Sequence, residues 1–308
     1  MSLSSSVPES ASGSDPASGP DDQRIAVVTV SYGSEGVLGP FLDSLTAASA
    51  ATLHVVVADN KVRVQPNQIS ELSTRTGAAY LPMASNRGYG HAVNEALKGL
   101  DSRIEWVVIS NPDVIAEPRS IDILLETLKS DPLIASVGPR ILTSQGTVYP
   151  SARSIPTLQA GVGHALFAHV WPRNPWTRAY RLEAGADPVR RDAGWLSGAF
   201  LVVRRSVLED LQGFDEGYFM YFEDVDLGYR IGTLGLRNVY EPRAVVVHTG
   251  AHSTSMNAVS MMTAHHDSAK RFLSKRYPGP LRWPVRRVLA AGLDLRAWLL
   301  EHKRGTGH

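Results

Sequence analysis

Cysteine is missing from all 308 residues. A disulfide scaffold, a thiolate zinc site and a cysteine nucleophile are thereby excluded. No uninterrupted run of about 18 apolar residues occurs either, so no membrane-spanning helix is expected. Residues 1–23 hold almost no large apolar side chain. Such a stretch cannot offset the entropy of ordering itself and is expected to be disordered. It also lacks the basic and apolar regions of a secretory signal, which implies a cytoplasmic protein. Net charge is scarce as well, at +1. That balance hides an asymmetry: from Lys270 onward ten basic residues face two acidic ones, leaving the tail at +8 and the preceding chain at −7. An acidic body without a recognition motif argues against a nucleic-acid partner.

What is present suffices for one large core, at 43% hydrophobic residues. After Arg24 the run IAVVTVSY reads as a buried parallel strand ending in small polar residues. Further strands are expected over Leu53–Asn60, Ala78–Met83, Ile104–Asp113 and Ile134–Leu142. Helices are expected over Pro40–Ala50, Gly90–Leu100 and Ser120–Lys129. Alternating strands and helices predict an α/β fold with a doubly wound, mostly parallel sheet. Residues 149–191 are irregular. Beyond them a strand is expected over residues 195–205, a helix over 218–235 and a strand over 236–250. The expected organisation is a nucleotide half over 24–115, an acceptor half over 116–255 and a basic helical tail over 256–308.

In such sheets ligands bind beyond the carboxyl ends of the strands. Three strands end in polar residues, at Thr29–Ser31, Asp59–Asn60 and Asn111–Asp113. Asp113 on an Asn-Pro-Asp turn is placed to hold a divalent cation against a diphosphate, though these are also ordinary turn residues. In the segment Asn86-Arg87-Gly88-Tyr89-Gly90, followed by Asn94, the glycines allow a phosphate or sugar to approach the backbone of a helix start. Asp59 either accepts from a base N–H or merely ends a strand. Residues 214–226 set five carboxylates, Asp215, Glu216, Glu223, Asp224 and Asp226, among Phe and Tyr. Burial beside apolar rings raises a carboxylate's pKa, which suits a general base; acids also simply favour a helix N-terminus. His248 is open to three roles: metal ligand, phosphate contact or strand-end histidine. His252 is less placed for any, and no third protein ligand has zinc spacing.

The ordered set Thr29-Val30-Ser31-Tyr32, Asp59-Asn60, Asn86-x-Gly-x-Gly, Asn111-Pro112-Asp113, Gly198-Ala199, Gly213-Phe214-Asp215-Glu216 and Glu223-Asp224-x-Asp226 resembles the inverting glycosyltransferases of family 2. The resemblance covers roughly residues 24–255 and implies the GT-A fold. It also implies nucleotide-sugar contacts at Thr29, Ser31, Tyr32, Asp59, Asn60, Asn86, Arg87, Gly88, Gly90, Asn94 and Asn111. Asp113, joined by His248, would hold Mg²⁺ or Mn²⁺. Asp224 would be the base, with Trp195, Gly198, Asp215 and Glu223 on the acceptor and sugar side. The family's usual Asp-x-Asp has Asn111 at its first position here, so metal ligation falls on Asp113. Within the family the NPD turn, the FMYFEDVDL segment and the arginine-rich tail are most similar to bacterial rhamnosyltransferases. That implies a dTDP-L-rhamnose donor and an N-acetylglucosaminyl-diphosphoryl-polyprenol acceptor. From Leu281 the tail puts Val285, Val288, Leu289 and Leu293 on one helical face and arginines on the other. Either it lies in an anionic membrane interface or it packs on the body.

Three other readings remain at this point: a transferase of another sugar, galactofuranosyl or hexosaminyl; a non-catalytic nucleotide-sugar-binding protein; and a nucleotidyltransferase. A carboxylate among aromatics has little use in binding alone. The loop Val30–Gly36 lacks the basic residue that nucleotidyl transfer typically wants.

Overall fold

The computed structural model describes residues 24–156, 189–250 and 258–279, with residue 287. The N-terminal stretch, most of the irregular region, His252 and the amphipathic segment from Leu281 lie outside the described residues. In chain order the first half runs β1 (Ile25–Ser31), α1 (Leu38–Ala48), β2 (Leu53–Asp59), α2 (Gln68–Thr76), β3 (Ala79–Pro82), α3 (Tyr89–Lys98), β4 (Trp106–Ser110), β5 (Val114–Ala116), α4 (Ser120–Lys129) and β6 (Ile134–Thr143). The second half runs β7 (Val148–Tyr149), β8 (Ala152–Arg153), β9 (Arg191–Ala193), β10 (Trp195–Leu196), β11 (Phe200–Arg204), α5 (Arg205–Asp210), α6 (Glu223–Thr233), β12 (Arg237–His248) and α7 (Ala258–Arg276).

The main sheet has the order β3-β2-β1-β4-β11-β6-β12-β5, with β7 on β6 and β9 on β12. Strands β3, β2, β1 and β4 are mutually parallel, as the apolar runs predict. β11 enters antiparallel between β4 and β6. β6 and β12 are parallel again, and β5 closes the edge antiparallel to β12. Alternate strand residues feed two cores. On one face Val27, Val57, Val108 and Val202 pack with Phe41 and Leu45 of α1 and Leu124 of α4. On the other, Val28, Val107, Ile109 and Val203 meet Val93 of α3, Leu208 of α5 and Ile231 of α6. Both sheet faces are therefore covered, which is why the strands read as continuous apolar runs.

Three expected elements differ. The strand expected over 104–113 stops at Ser110, and the Asn111–Asp113 turn redirects the chain into β5. The strand expected over 195–205 is two strands in different sheets, because Trp195–Leu196 pairs with Ala152–Arg153 in a separate ribbon. The helix expected from residue 218 begins at Glu223. Before it, the Phe219 carbonyl accepts from the Tyr89 N–H at 3.1 Å and the Met220 carbonyl accepts from the Ser268 hydroxyl at 2.8 Å. Tyr221 and Phe222 then adopt left-handed φ of 68° and 67°, a costly conformation that persists only where surroundings impose it. α2 was not expected; an Asn67 capping box starts it and Gly77, at φ 74°, ends it.

The tail begins as a helix, and α7 packs on the body. Phe272 is buried with Tyr218 and Val225. Lys275 pairs with Asp215 at 2.8 Å and with the fully buried Asp226 at 2.6 Å.

Candidate active site

Ser31, Asp59, Ser110 and His248 stand at strand ends, and Tyr89 and Glu223 at helix starts. The antiparallel β11 matters here. Its first residue, Phe200, is the register partner of Ser110 at the end of β4. The Ser197–Ala199 loop therefore sits beside the Asn111–Asp113 turn, and the Ala199 carbonyl accepts the Asn111 N–H at 2.9 Å.

At the end of β2, Asp59 is wholly buried. Its carboxylate accepts from the Tyr80 hydroxyl at 3.1 Å and meets the Arg63 Nε at 3.0 Å. Burial pushes its pKa up, and the Arg63 charge opposes that. Thr29 and Ser31 are buried in the neighbouring strand, whereas Tyr32 is exposed. Asn60 donates from Nδ2 to Asn86 Oδ1 at 3.0 Å and to the Gly88 carbonyl at 3.1 Å. The end of β2 thus fixes the glycine loop.

That loop presses on the segment leading to α6. Gly88 has φ 105°, and a Cβ there would collide with the Phe219 carbonyl. A Cβ on Gly90 would lie 2.8 Å from Phe214 Cβ. Two residues expected as nucleotide contacts also have partners within the protein. Asn94 clamps the Phe214 backbone, donating to its carbonyl at 2.9 Å and accepting its N–H at 2.8 Å. Arg87 reaches Glu216 at 3.3 Å. On the acceptor side, Asp215 is tied to Arg271 at 2.6 Å and Lys275 at 2.8 Å, which hold its carboxyl well below the usual range despite burial.

Asp113 is buried, and its Oδ1 lies 3.0 Å from His248 Nε2 at the end of β12. Asn111 Nδ2 faces the same nitrogen at 3.4 Å. Two ligands about 2.1 Å from one octahedral ion and at a right angle would stand about 3.0 Å apart. The pair therefore suits a divalent cation, with a hard carboxylate and an imidazole as donors. Another cluster, His91, Glu95 and Glu216, also gathers within 4.8 Å. Its charge is already matched by Arg87 on Glu216 and Lys98 on Glu95, and the Asp113 and His248 atoms are likewise within hydrogen-bond distance of each other.

Glu223 and Asp224 open α6. Asp224 Oδ2 accepts the Gly198 N–H at 3.0 Å, and its Oδ1 accepts the Val225 N–H at 2.8 Å. Burial pushes Asp224 up, while these N–H groups and Arg153 oppose the rise. Burial, then the Asp224 charge, pushes Glu223 up to about 8. Its Oε2 is buried without a hydrogen-bond partner. The two carboxyls thus resist being ionised together. One charged and one neutral member is the stable state near neutrality.

Tyr89 was passed over in the sequence although it stands inside the glycine loop. Its hydroxyl donates to the Gly198 carbonyl at 3.0 Å, on the peptide neighbour of the Asp224 anchor. Burial, then Glu223, Asp224 and Asp113, drive its pKa far above the usual phenol range. The charges of three carboxylates from two distant stretches thus bear on one phenol. Trp195 stands on the ribbon, its Nε1 donating to the Ser154 carbonyl at 3.1 Å.

A buried strand-end aspartate, a carboxylate–imidazole pair and a carboxyl dyad on one edge suit nucleotide-sugar chemistry. Comparison with known proteins decides the family, because the description "Glycosyltransferase like family 2" matches residues 20–266. The chain belongs to glycosyltransferase family 2. A relative from Mycobacterium tuberculosis, named N-acetylglucosaminyl-diphospho-decaprenol L-rhamnosyltransferase, is 42% identical over 90% of this chain and 92% of its own. A rhamnosyltransferase of Escherichia coli is 24% identical over 82% of this chain and 93% of its own. Among solved structures, a Pyrobaculum calidifontis mannosyltransferase in complex with GDP-Man and Mn²⁺ superposes with a TM-score of 0.56 at 18% identity, over 96% of this chain and 80% of that one. The chain is an enzyme of the GT-A fold, as the resemblance implied.

Proposed function

We propose that this family 2 glycosyltransferase moves L-rhamnose from dTDP-L-rhamnose to N-acetylglucosaminyl-diphosphoryl polyprenol, with inversion at the anomeric carbon. Support comes from the 42% identity to a relative bearing that name and from the Asp224 environment. The Asp224 carboxylate takes the proton of the acceptor hydroxyl. The acceptor oxygen then bonds to the anomeric carbon on the face opposite the nucleotide. The bond from that carbon to the donor phosphate breaks, and dTDP leaves with the electron pair. Gly198 and Val225 hold the base by two N–H donors. Neutral Glu223 beside it adds no second charge to oppose ionisation.

Asp59 and the Asn86–Gly90 loop receive the nucleoside end. Asp113 and His248 would hold Mg²⁺ or Mn²⁺, which supplies positive charge against the departing diphosphate. Among the described residues no helix is long and apolar enough to cross a membrane. We place the enzyme at the inner membrane face, through the basic tail and the lipid-linked acceptor.

The test is a panel of dTDP-L-rhamnose, UDP-galactofuranose and UDP-N-acetylglucosamine, each with the lipid-linked acceptor and Mg²⁺ or Mn²⁺. Rhamnosyl product of inverted configuration is expected. Preference for another donor, or retention, overturns the reading. Flotation on anionic vesicles should separate the full chain from one ending at Tyr277; equal flotation removes the tail as anchor.

A further inference from the structure

Arg153 is a cation that no acid among the described residues holds in an ion pair. It occupies β8 opposite Trp195 of β10 in the small ribbon. Its Nε donates to the Pro150 carbonyl at 3.0 Å. The guanidinium carbon lies 5.9 Å from the centre of the Tyr149 ring and 5.5 Å from that of Trp195. Among the described residues no carboxylate forms an ion pair with it, whereas Arg63, Arg190, Arg230 and Arg271 each have one. Two aromatic faces thus hold the planar fork in place and leave its outer N–H groups to another partner.

Its position says what partner. The Tyr149 ring that holds Arg153 also meets the His248 ring edge-on, at 6.5 Å. The Arg153 charge is also felt at Asp224. The cation therefore stands close to both the base and the metal pair. The ribbon that carries it is seated on α6 and β6: Trp195 abuts Gly228 of α6, and Leu196 abuts Gly138 of β6. The Trp195 indole is itself packed, with Arg153 over its ring and the Tyr218–Val225–Phe272 cluster beside it. A guanidinium held there matches a diphosphate, because its fork pairs with phosphate oxygens two at a time.

We propose that Arg153 binds the diphosphate of the acceptor, and so makes the enzyme select a diphosphate-linked sugar over a neutral one. This rests on the acceptor class proposed above. The reaction brings a second diphosphate, that of the donor, and the test separates the two.

Three acceptors with one lipid chain are compared: N-acetylglucosamine linked through diphosphate, through monophosphate, and directly as a neutral glycoside. Wild type should prefer the diphosphate. Arg153→Gln should raise KM for the diphosphate acceptor roughly tenfold or more. The neutral glycoside should change less than about twofold, and dTDP affinity by titration should stay the same. Arg153→Lys, which keeps the charge without the fork, should recover part of the loss. An equal KM rise for all three acceptors, or a loss that falls on dTDP binding, overturns the proposal. So does a wild-type enzyme that uses the neutral glycoside as readily, a result that needs no folded variant. Absence of any rhamnosyl transfer by wild type would instead overturn the acceptor reading, and this inference with it.

Discussion

Replacing Glu223 by Gln should make the protein more stable, by an amount that grows with pH. Burial and the Asp224 charge carry the Glu223 pKa from 4.5 to about 8. A group whose folded pKa is raised contributes stability below its unfolded value and loses it as pH climbs to the folded value. Between pH 4.5 and 8 the wild type therefore loses up to about 1.4 kcal/mol per pH unit through this one carboxyl, a ceiling of about 5 kcal/mol. Oε2 is buried, yet the residue as a whole is not sealed from solvent. Water reaching the side chain reduces the cost, so roughly 2–3 kcal/mol at pH 8 is the expected gap. Glutamine keeps the shape of the neutral acid and has no proton to lose. Urea unfolding of both proteins, free of nucleotide and metal, at pH 5, 6, 7 and 8 gives the gap directly. It should be near zero at pH 5 and widen with each step. A gap independent of pH, or one that favours the wild type at pH 8, would refute the argument for a neutral Glu223.

Asp224→Asn should lower kcat by about 10²–10⁴-fold while donor binding stays within about twofold; near-normal turnover removes Asp224 as the base. Asp113→Ala should weaken dTDP binding and metal binding together. An Asp113→Ala protein whose dTDP affinity still responds to Mn²⁺ rules out that ligand. Gly88→Ala forces a Cβ onto the Phe219 carbonyl at φ 105°. We expect a loss of about 2 kcal/mol or more, read as a lower urea midpoint, with donor affinity reduced as well.

Much of the sheet was legible because buried parallel strands have a plain signature, an apolar run closed by polar residues. That signature located Asp59 and Asp113, and parallel topology alone requires their ends to meet. The polarity of β11 was not legible, since it depends on how the chain returns to the sheet and not on the FLVVR sequence. Nor was the start of α6. Residues 218–222 have helical apolar spacing, but the Phe219 and Met220 carbonyls are taken by Tyr89 and Ser268, one far upstream and one far downstream. The ion pairs of Asp215 were hidden for a like reason: its partners Arg271 and Lys275 lie more than fifty residues away on α7. Tyr89 and Arg153 were missed because a ring or a guanidinium gains its role from its neighbours, and those neighbours come from other segments.

The meeting of Gly88 with Phe219 is backbone against backbone, joined by the Tyr89 N–H and without a side chain between. Substitution can break such a joint but cannot retune it, since no side-chain atoms are there to exchange. Divergence within this scaffold is then channelled. If the Asn86–Gly90 loop and Asp224 act as proposed, the spacing between them should resist change, while side-chain surfaces such as Tyr80, Arg63 and the Arg153 ribbon can be altered. An engineer seeking a new donor or acceptor should begin at those surfaces and leave the joint alone.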